Sequence, residues 1–317
     1  MDAQFVERLE VGEVVEFIEK GDGVLIDTLP PEHFAARHIP GAVNACVYEM
    51  VFCEMAAALV PTMGTPVVLY GAGADSLDCL AAADKLARLG YTDVAVFHGG
   101  LEEWLAAGRS LEGSAPDALE PPHPVLVLEP RPYRLIPDES LLRWAGRNTG
   151  STHHGTLRFA SGGLDATGAD PGAGPIGSDE LSAWFVIDMT SISNTDLLGQ
   201  DLHPVLEKHL HSDDFFFTVM FPEASFITTA IRLVESAQAT RPNAMIQGNL
   251  SLRGMTSEIA FPAHIRNLDA ERLSIVANLD FDRTQWGVIY GSSRFFRHLS
   301  YHLVFDFISV EFRLLLE

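Results

Sequence analysis

Cysteine is scarce in this chain, and the few cysteines follow no familiar pattern. The 317 residues include three of them, Cys46, Cys53 and Cys79. An odd number without the paired spacing of metal ligands argues against both a disulfide framework and a zinc ribbon. The cysteines therefore indicate a reducing compartment, and we expect a cytoplasmic protein.

Basic side chains are also few. The sequence has 21 Lys and Arg against 43 Asp and Glu, which gives a formal net charge of -22. Proteins that bind nucleic acids use clustered Lys and Arg to replace the counterions of the phosphates. We therefore expect no nucleic-acid partner, and the net charge also disfavours docking on anionic membranes.

Long apolar runs are absent as well. No window approaches the roughly 18 consecutive apolar residues that a membrane-spanning helix needs. The N-terminus has acidic residues every few positions instead of a basic leader before an apolar run, so no secretory signal is expected. With 47% hydrophobic and 20% charged residues, the composition is that of a globular protein.

The first third of the chain alternates short apolar strands with helical stretches. We predict strands at residues 24–27, 67–70 and 94–97, and helices near 14–20, 31–36, 47–59 and 80–89. Apolar strands separated by helices are typical of a parallel sheet that is covered on both faces. Residues 1–110 are therefore predicted to form an α/β domain.

A proline-rich segment follows this domain. Six prolines lie between residues 109 and 132, and proline disrupts helices and favours an extended chain. We therefore predict a linker at residues 111–131. Its apolar run at residues 125–128 is a candidate to dock on a neighbouring element.

Beyond residue 132 the hydrophobic period changes to two. Ile246 and Leu250, for example, alternate with the polar residues Gln247 and Asn249, a pattern typical of antiparallel strands with one buried face. Strands are predicted at residues 133–145, 152–161, 181–189, 226–235, 246–253, 258–265, 273–281 and 302–316. Eight strands suit a small closed barrel, here all-β and antiparallel over residues 132–317, with a helix near 199–211 and a loop at 162–180.

Two parts of the first domain carry a family resemblance. Residues 24–44 read VLIDTLPPEHFAARHIPGAVN, in which a strand ends at an Asp and an acidic helix precedes a His-Ile-Pro-Gly-Ala-x-Asn turn. Farther along come Gly90, Tyr91, Val94, Gly99, Gly100, Trp104 and Gly108. Together these residues resemble the signatures of rhodanese-like sulfurtransferase domains over about the first 108 residues. In that family a nucleophilic cysteine follows the strand that here ends at Tyr70.

This sequence has Gly71 at that position. Glycine has no side chain to attack sulfur, and Asp75 and Asp78 in the next loop would repel anionic substrates. The resemblance therefore implies a catalytically inactive module with an interaction or regulatory role. An alternative is a sulfurtransferase that uses Cys79, since this residue lies at a predicted helix start where the helix dipole lowers thiol pKa. We favour a small buried side chain for Cys79.

Five segments of the second domain resemble a different family. They are residues 151–159, 185–192, 209–217, 246–256 and 282–296, and they match, in order, the YceI-like domains. Members of that family are lipocalin-like barrels that hold polyisoprenoids or other long-chain lipids. The resemblance implies an apolar ligand of isoprenoid, quinone or fatty-acyl type, no other cofactor, and a homodimer.

Candidate lining residues lie on one face of the predicted strands. They are Leu157, Phe159, Phe185, Ile187, Ile246, Leu250, Ile259, Phe261, Ile275 and Leu279. Alternation alone favours a barrel filled by these side chains, which corresponds to a ligand-free structural interaction protein. The family resemblance favours a cavity instead.

Candidate contacts for a polar head group are His154, Arg283 and Trp286. For Arg283 a structural pairing with Asp282 is an equal alternative. His209 and His211 are two residues apart, which is poor spacing for a zinc site on a helix, so we expect no metal. Five phenylalanines are predicted to plug one end of the barrel: Phe215, Phe216, Phe217, Phe295 and Phe296.

Overall fold

The computed structural model describes residues 6–117, 126–168, 181–234 and 238–317. Contacts divide the chain into two compact units, Met1–Glu120 and Pro121–Glu317. The first is an α/β unit with a parallel sheet and the second is a closed antiparallel barrel, so the predicted fold class is confirmed. Among the described residues, no helix is both long and apolar enough to cross a membrane.

The α/β unit contains five parallel strands in the order β1-β5-β4-β2-β3. These are β1 (Glu7–Arg8), β2 (Val24–Asp27), β3 (Val43–Asn44), β4 (Val67–Tyr70) and β5 (Val94–Phe97). Its helices are α1 (Val11–Lys20), α2 (Pro31–Ala36), α3 (Phe52–Leu59), α4 (Asp78–Leu89) and α5 (Gly100–Ala106). All four residues of β4 are buried, because one apolar cluster covers each face of the sheet.

Some details of this unit differ from the sequence prediction. Helix α3 begins at Phe52 rather than at residue 47. The N–H of Val47 bonds to the carbonyl of Thr28 at 3.0 Å, so the chain there still runs beside the sheet. Strands β1 and β3, each of two residues, and helix α5 were not predicted.

The barrel is a ring of eight antiparallel strands. They are β7 (Leu141–Arg147), β8 (Thr152–Asp165), β9 (Ser182–Asn194), β10 (Glu223–Leu233), β11 (Ala244–Leu252), β12 (Met255–Asn267), β13 (Leu273–Asp282) and β14 (Phe307–Leu316). The ring closes because β8 pairs with both β7 and β9. A short strand, β6 (Pro132–Arg134), pairs with the far end of β8, and α6 (His203–His211) lies between β9 and β10.

Several predicted barrel elements have different bounds. The strand predicted at 302–316 begins at Phe307, and the helix predicted at 199–211 begins at His203. The predicted strand 133–145 is interrupted by a 3-10 helix, Pro137–Glu139, because proline has no N–H for a strand ladder. Strand β8 continues through Asp165, so the predicted loop 162–180 begins later. Its residues 169–180 lie outside the described residues, as does Glu235 at the end of a predicted strand.

The predicted linker 111–131 has packed residues at both ends. Glu112 exchanges backbone hydrogen bonds with His38 at 2.8 and 2.9 Å. Leu128 is buried in the barrel core. The N–H of Val127 donates to Oδ1 of Asn267, and Nδ2 of Asn267 donates to the carbonyl of Val127, both at 2.8 Å. Residues 118–125, including Val125 of the predicted docking run, lie outside the described residues.

The strand connections alternate between the two ends of the barrel. One end carries the turns 148–151 and 253–254 and the connections 195–222 and 283–306. We call it the cap end and call residues 283–306 the cap segment. The described residues 234 and 238–243, which follow β10, and the connection 268–272 lie at the opposite end.

Candidate ligand-binding cavity

An apolar cavity of about 160 Å³ lies inside the barrel. The structure places all ten predicted lining side chains on its wall, because residues of one parity along each strand face inward. Sequence reasoning missed other wall residues with the same alternation, including Trp144, Phe226, Val310 and Phe312. Whether the wall residues bind a ligand stays a prediction.

Aromatic side chains reduce the space inside the barrel. Phe226 packs on Phe261 with ring centroids 5.6 Å apart, and Phe261 packs on Phe312 at the same distance. A cavity of about 150 Å³ is large enough for benzene, whereas most small-molecule sites span about 300–1,000 Å³. The cavity therefore has room for part of a long chain, and a longer chain requires these rings to move.

Thr228 and Arg283 are the only polar side chains on the described part of the cavity wall. The Thr228 hydroxyl donates to the carbonyl of Ala183 at 3.1 Å and accepts from its N–H at 2.7 Å. Arg283 is almost completely buried and is held by backbone carbonyls. Because both polar groups are already hydrogen-bonded to the backbone, the wall offers an apolar surface.

Comparison with known proteins identifies both units. The YceI-like domain family matches residues 133–316, which is more than half of the chain. The chain belongs to the YceI-like family. The rhodanese-like domain family matches residues 10–107, so both resemblances inferred from the sequence motifs are confirmed.

Individual relatives of this YceI-like protein match only parts of it. A UPF0312 protein of Shewanella denitrificans is 39% identical over 94 residues, which cover 27% of this chain and 46% of that protein. The chain spans less than half the length of the curated relatives it matches, 46% and 44%.

Two solved structures are similar to more than half of the chain. BcnA of Burkholderia cenocepacia is 20% identical with a TM-score of 0.42, over 56% of this chain and 96% of that one. A polyisoprenoid binding domain from Saccharophagus degradans, implicated in plant cell wall breakdown, is 20% identical with a TM-score of 0.40. It covers 58% of this chain and 97% of that one.

Arg283 ties together the cap segment of the YceI-like domain. Its guanidinium and Nε donate to the carbonyls of Val288, Tyr290, Val304 and Phe305 at 2.5 to 3.1 Å. Burial lowers the pKa of this guanidinium. The negative charge of Asp306, 4.0 Å away, acts in the opposite direction and raises it. The proposed pairing with Asp282 is corrected, because Asp282 pairs with Arg294 at 2.7 Å.

Trp286 lies in the packed core instead of at a barrel mouth. It is completely buried, its Nε1 donates to the carbonyl of Leu250 at 2.7 Å, and its ring packs edge-on against Phe281 at 5.1 Å. Trp286 is not among the residues that line the cavity. The predicted position of this side chain at the mouth is therefore corrected.

The His154 side chain faces away from the cavity. Gly155, Leu157 and Phe159 are buried on the inner side of β8, so His154 has the outward parity and is exposed. His153 has the inward parity but bonds to Asp196 at 2.9 Å and does not line the cavity either. The parity of Leu157 and Phe159 is a sequence signal that would have excluded His154.

The predicted aromatic plug is formed in part. Phe215 and Phe216 line the cavity, and the Tyr290 ring packs on Phe215 at 5.3 Å. Phe217 instead packs on Phe221 at 6.1 Å, and the remaining predicted members, Phe295 and Phe296, are exposed on the cap segment. The plug is thus corrected to Phe215 and Phe216.

The histidines near α6 make local contacts. His209 bonds to Asp214 at 3.0 Å, and His211 bonds to the Thr218 hydroxyl at 2.9 Å. Within the described ranges, His, Cys, Asp and Glu side chains form no group of three that could hold a metal ion.

In the rhodanese-like domain, the loop after β4 is occupied by the carboxylate of Asp78. One oxygen accepts from the Ala72 N–H at 3.1 Å and the Ser76 hydroxyl at 2.8 Å, and the other accepts from the Cys79 N–H at 2.8 Å. A Cβ atom at Gly71 would clash with this carboxylate. Asp78 thus supplies an internal anion and leaves no space for a side chain at residue 71.

Cys79 lies beside Asp78 and is buried. Burial, and next the charge of Asp78, raise the pKa of the Cys79 thiol to about 12. A nucleophilic cysteine must be a thiolate, and a thiol with such a pKa is protonated at neutral pH. The position of Cys79 therefore works against the activation that the helix dipole would provide.

Proposed function

We propose that the barrel binds a long apolar ligand of isoprenoid, quinone or fatty-acyl type and holds it away from water. The cavity wall carries this proposal, because its two polar side chains already have backbone partners. Each methylene group buried against such a wall contributes about 0.8 kcal/mol. A chain can therefore bind without hydrogen bonds, and its polar head group would remain at an end of the barrel.

Ligand binding requires movement inside the barrel. The cavity of about 160 Å³ accepts a chain end, and the packed rings of Phe226, Phe261 and Phe312 would have to move to admit more of the chain. The rings can change rotamer more easily than the backbone can move, because hydrogen-bonded strand pairing holds the backbone all around the barrel. We infer that these three rings set the length of chain that the barrel accepts.

Native mass spectrometry after mild extraction tests this proposal. The wild-type protein should carry an apolar small molecule, and Ala224→Phe should lose it, because Ala224 lines the cavity and a phenyl ring would fill the space. Ala260→Phe is the matched control, since Ala260 is exposed on β12. Thermal unfolding of both variants verifies that they fold.

The outcome also separates the carrier from a filled structural barrel. A wild-type protein without any bound mass, which also fails to take up added long-chain lipid, would contradict the proposal. If Ala224→Phe and Ala260→Phe retained the bound small molecule equally, the ligand would have to bind outside this cavity.

We also propose that the rhodanese-like domain is catalytically inactive and serves as an interaction or regulatory module. The internal anion of Asp78 and the raised pKa of Cys79 support this proposal. Turnover of thiosulfate and cyanide that disappears in Cys79→Ser would favour the sulfurtransferase alternative instead. The cytoplasmic location and the homodimer stay predictions.

A further inference from the structure

The cap segment, residues 283–306, differs in charge from the rest of the chain. No acidic residue occurs between Asp282 and Asp306, although the whole chain has 43 acidic residues among 317. The basic and aromatic residues of the segment are Arg283, Arg294, Arg297, His298, His302, Trp286, Tyr290, Phe295, Phe296, Tyr301 and Phe305. The net charge of -22 therefore does not extend to this segment, whose exposed side chains include Arg294, Arg297, Phe295, Phe296 and Tyr301.

Large apolar side chains are exposed mainly at the cap end of the barrel. In its connections nine are exposed: Leu198, Leu202, Val205, Val219, Met220, Phe295, Phe296, Tyr301 and Phe305. The described connections at the opposite end expose two, Val234 and Leu268. Phe295 is 50% exposed and Tyr301 is 83% exposed, so these rings contribute little to the barrel core.

The cap segment also reaches from the cavity to this exposed surface. Val304 lines the cavity, whereas the next residue, Phe305, is exposed. Arg283 fixes both arms of the segment, because it bonds to the carbonyls of Tyr290 and Val304 at 2.8 and 3.1 Å. The segment therefore forms an end wall that contributes Arg283 and Val304 to the cavity and exposes aromatic side chains on the outside.

We propose that the cap end docks on the surface of a lipid bilayer, with Phe295, Phe296 and Tyr301 in the headgroup region and Arg297 near the phosphates. Aromatic rings interleaved with Arg are typical of segments that lie in a membrane interface. The neighbouring connection at the cap end, residues 195–222, carries five acidic residues and one lysine, so we expect the aromatic rings, and not net charge, to supply the affinity.

A bilayer is the occupant that fits the cavity behind this surface. An apolar chain that crosses water exposes every methylene group, and direct transfer from a membrane avoids that cost. This reason for docking rests on the proposed function. The docking itself is independent of it, because vesicles without any isoprenoid or quinone can measure it.

Vesicle co-sedimentation of the full chain tests the proposal. The probes are vesicles of phosphatidylcholine and vesicles of equal parts phosphatidylcholine and phosphatidylglycerol. Wild-type protein should bind both, without a preference for the anionic ones, because the acidic residues of connection 195–222 lie at the same end of the barrel. The triple variant Phe295→Ser, Phe296→Ser, Tyr301→Ser should bind at least about tenfold more weakly. The matched control is Trp184→Ser, Ile227→Ser, Leu268→Ser, which removes equally exposed side chains outside the cap segment and should bind normally.

Three results would overturn the docking proposal. In the first, wild-type protein sediments with neither kind of vesicle. In the second, the control variant loses as much binding as the cap variant. In the third case the cap variant becomes monomeric while the wild type is a dimer without vesicle affinity, which assigns this surface to a second copy of the chain. A bound apolar ligand in mass spectra together with absent vesicle binding would reject docking and leave the carrier proposal intact.

Discussion

Interior space is used in opposite ways in the two domains. In the rhodanese-like domain, the loop after β4 is filled by the Asp78 carboxylate, which binds the Ala72 and Cys79 N–H groups. In the YceI-like domain, a cavity of about 160 Å³ remains between apolar side chains. The hydrogen-bond donors of the polar loop are already satisfied by an internal carboxylate. The side chains around an apolar cavity, in contrast, gain van der Waals contacts when a chain fills it.

Both domains also bury charged side chains. The barrel buries Arg283, and the α/β domain buries Asp27, Arg37 and Asp78. Neighbouring backbone groups bond to Arg283, Asp27 and Asp78, which offsets the cost of burying them. Removing these three groups one at a time therefore tests how each domain maintains its interior, and Arg283 donates to four backbone carbonyls.

Arg283→Met should have the largest effect. It removes the donor to four backbone carbonyls of the cap segment and should destabilise the barrel by about 3–5 kcal/mol, the range for a broken buried ionic network. Urea unfolding followed by tryptophan fluorescence measures the loss. Arg294→Met is the control, since the Arg294 side chain is 58% exposed where it pairs with Asp282, and its loss should cost about 1 kcal/mol. Equal losses in both variants would contradict the clamp role of Arg283.

The cavity wall was predictable because strand periodicity is a local property. Leu157 and Phe159 lie two residues apart on β8, as Ile246 and Gly248 do on β11. Alternate residues of a strand share one face, and closure of the barrel turns that face inward. The strand pattern of the α/β domain was equally local, since β2, β4 and β5 have the predicted bounds.

Features that depend on distant contacts could not be predicted. The clamp role of Arg283 requires two loop arms that meet only in the folded barrel. The position of Asp78 in the loop depends on how α4 begins beside β4, and spacing along the chain does not reveal which donors its carboxylate finds. The outward position of His154, in contrast, followed from a parity that the sequence already contained.

The buried carboxyl of Asp27 predicts a pH dependence of the rhodanese-like domain. Burial raises the pKa of Asp27 from 3.8 to about 6. Since the folded state holds the proton more tightly than the unfolded state, stability should fall as pH rises from about 4 to about 6 and then level off, by roughly 3 kcal/mol in total. Asp27→Asn should abolish this slope in urea unfolding, because the amide stays neutral. The exposed control Asp22→Asn should retain the slope, and an unchanged slope in Asp27→Asn would refute the assignment.

The smallest effect is expected for Asp78→Ala, and it tests the contrast between the two interiors directly. The variant leaves the Ala72 N–H, the Ser76 hydroxyl and the Cys79 N–H without their acceptor, at a cost of about 1–3 kcal/mol. Because these donors converge, an added anion should replace the carboxylate. Thiosulfate or sulfate should then raise the melting temperature of Asp78→Ala and leave that of the wild type unchanged.

Asp75→Ala controls for the removal of negative charge near the same loop, because Asp75 is exposed and should confer no anion response. A wild-type protein that thiosulfate stabilises as strongly as Asp78→Ala would mean that the loop still admits anions. The domain would then keep a binding site of its own, and the internal carboxylate would regulate that site instead of closing it.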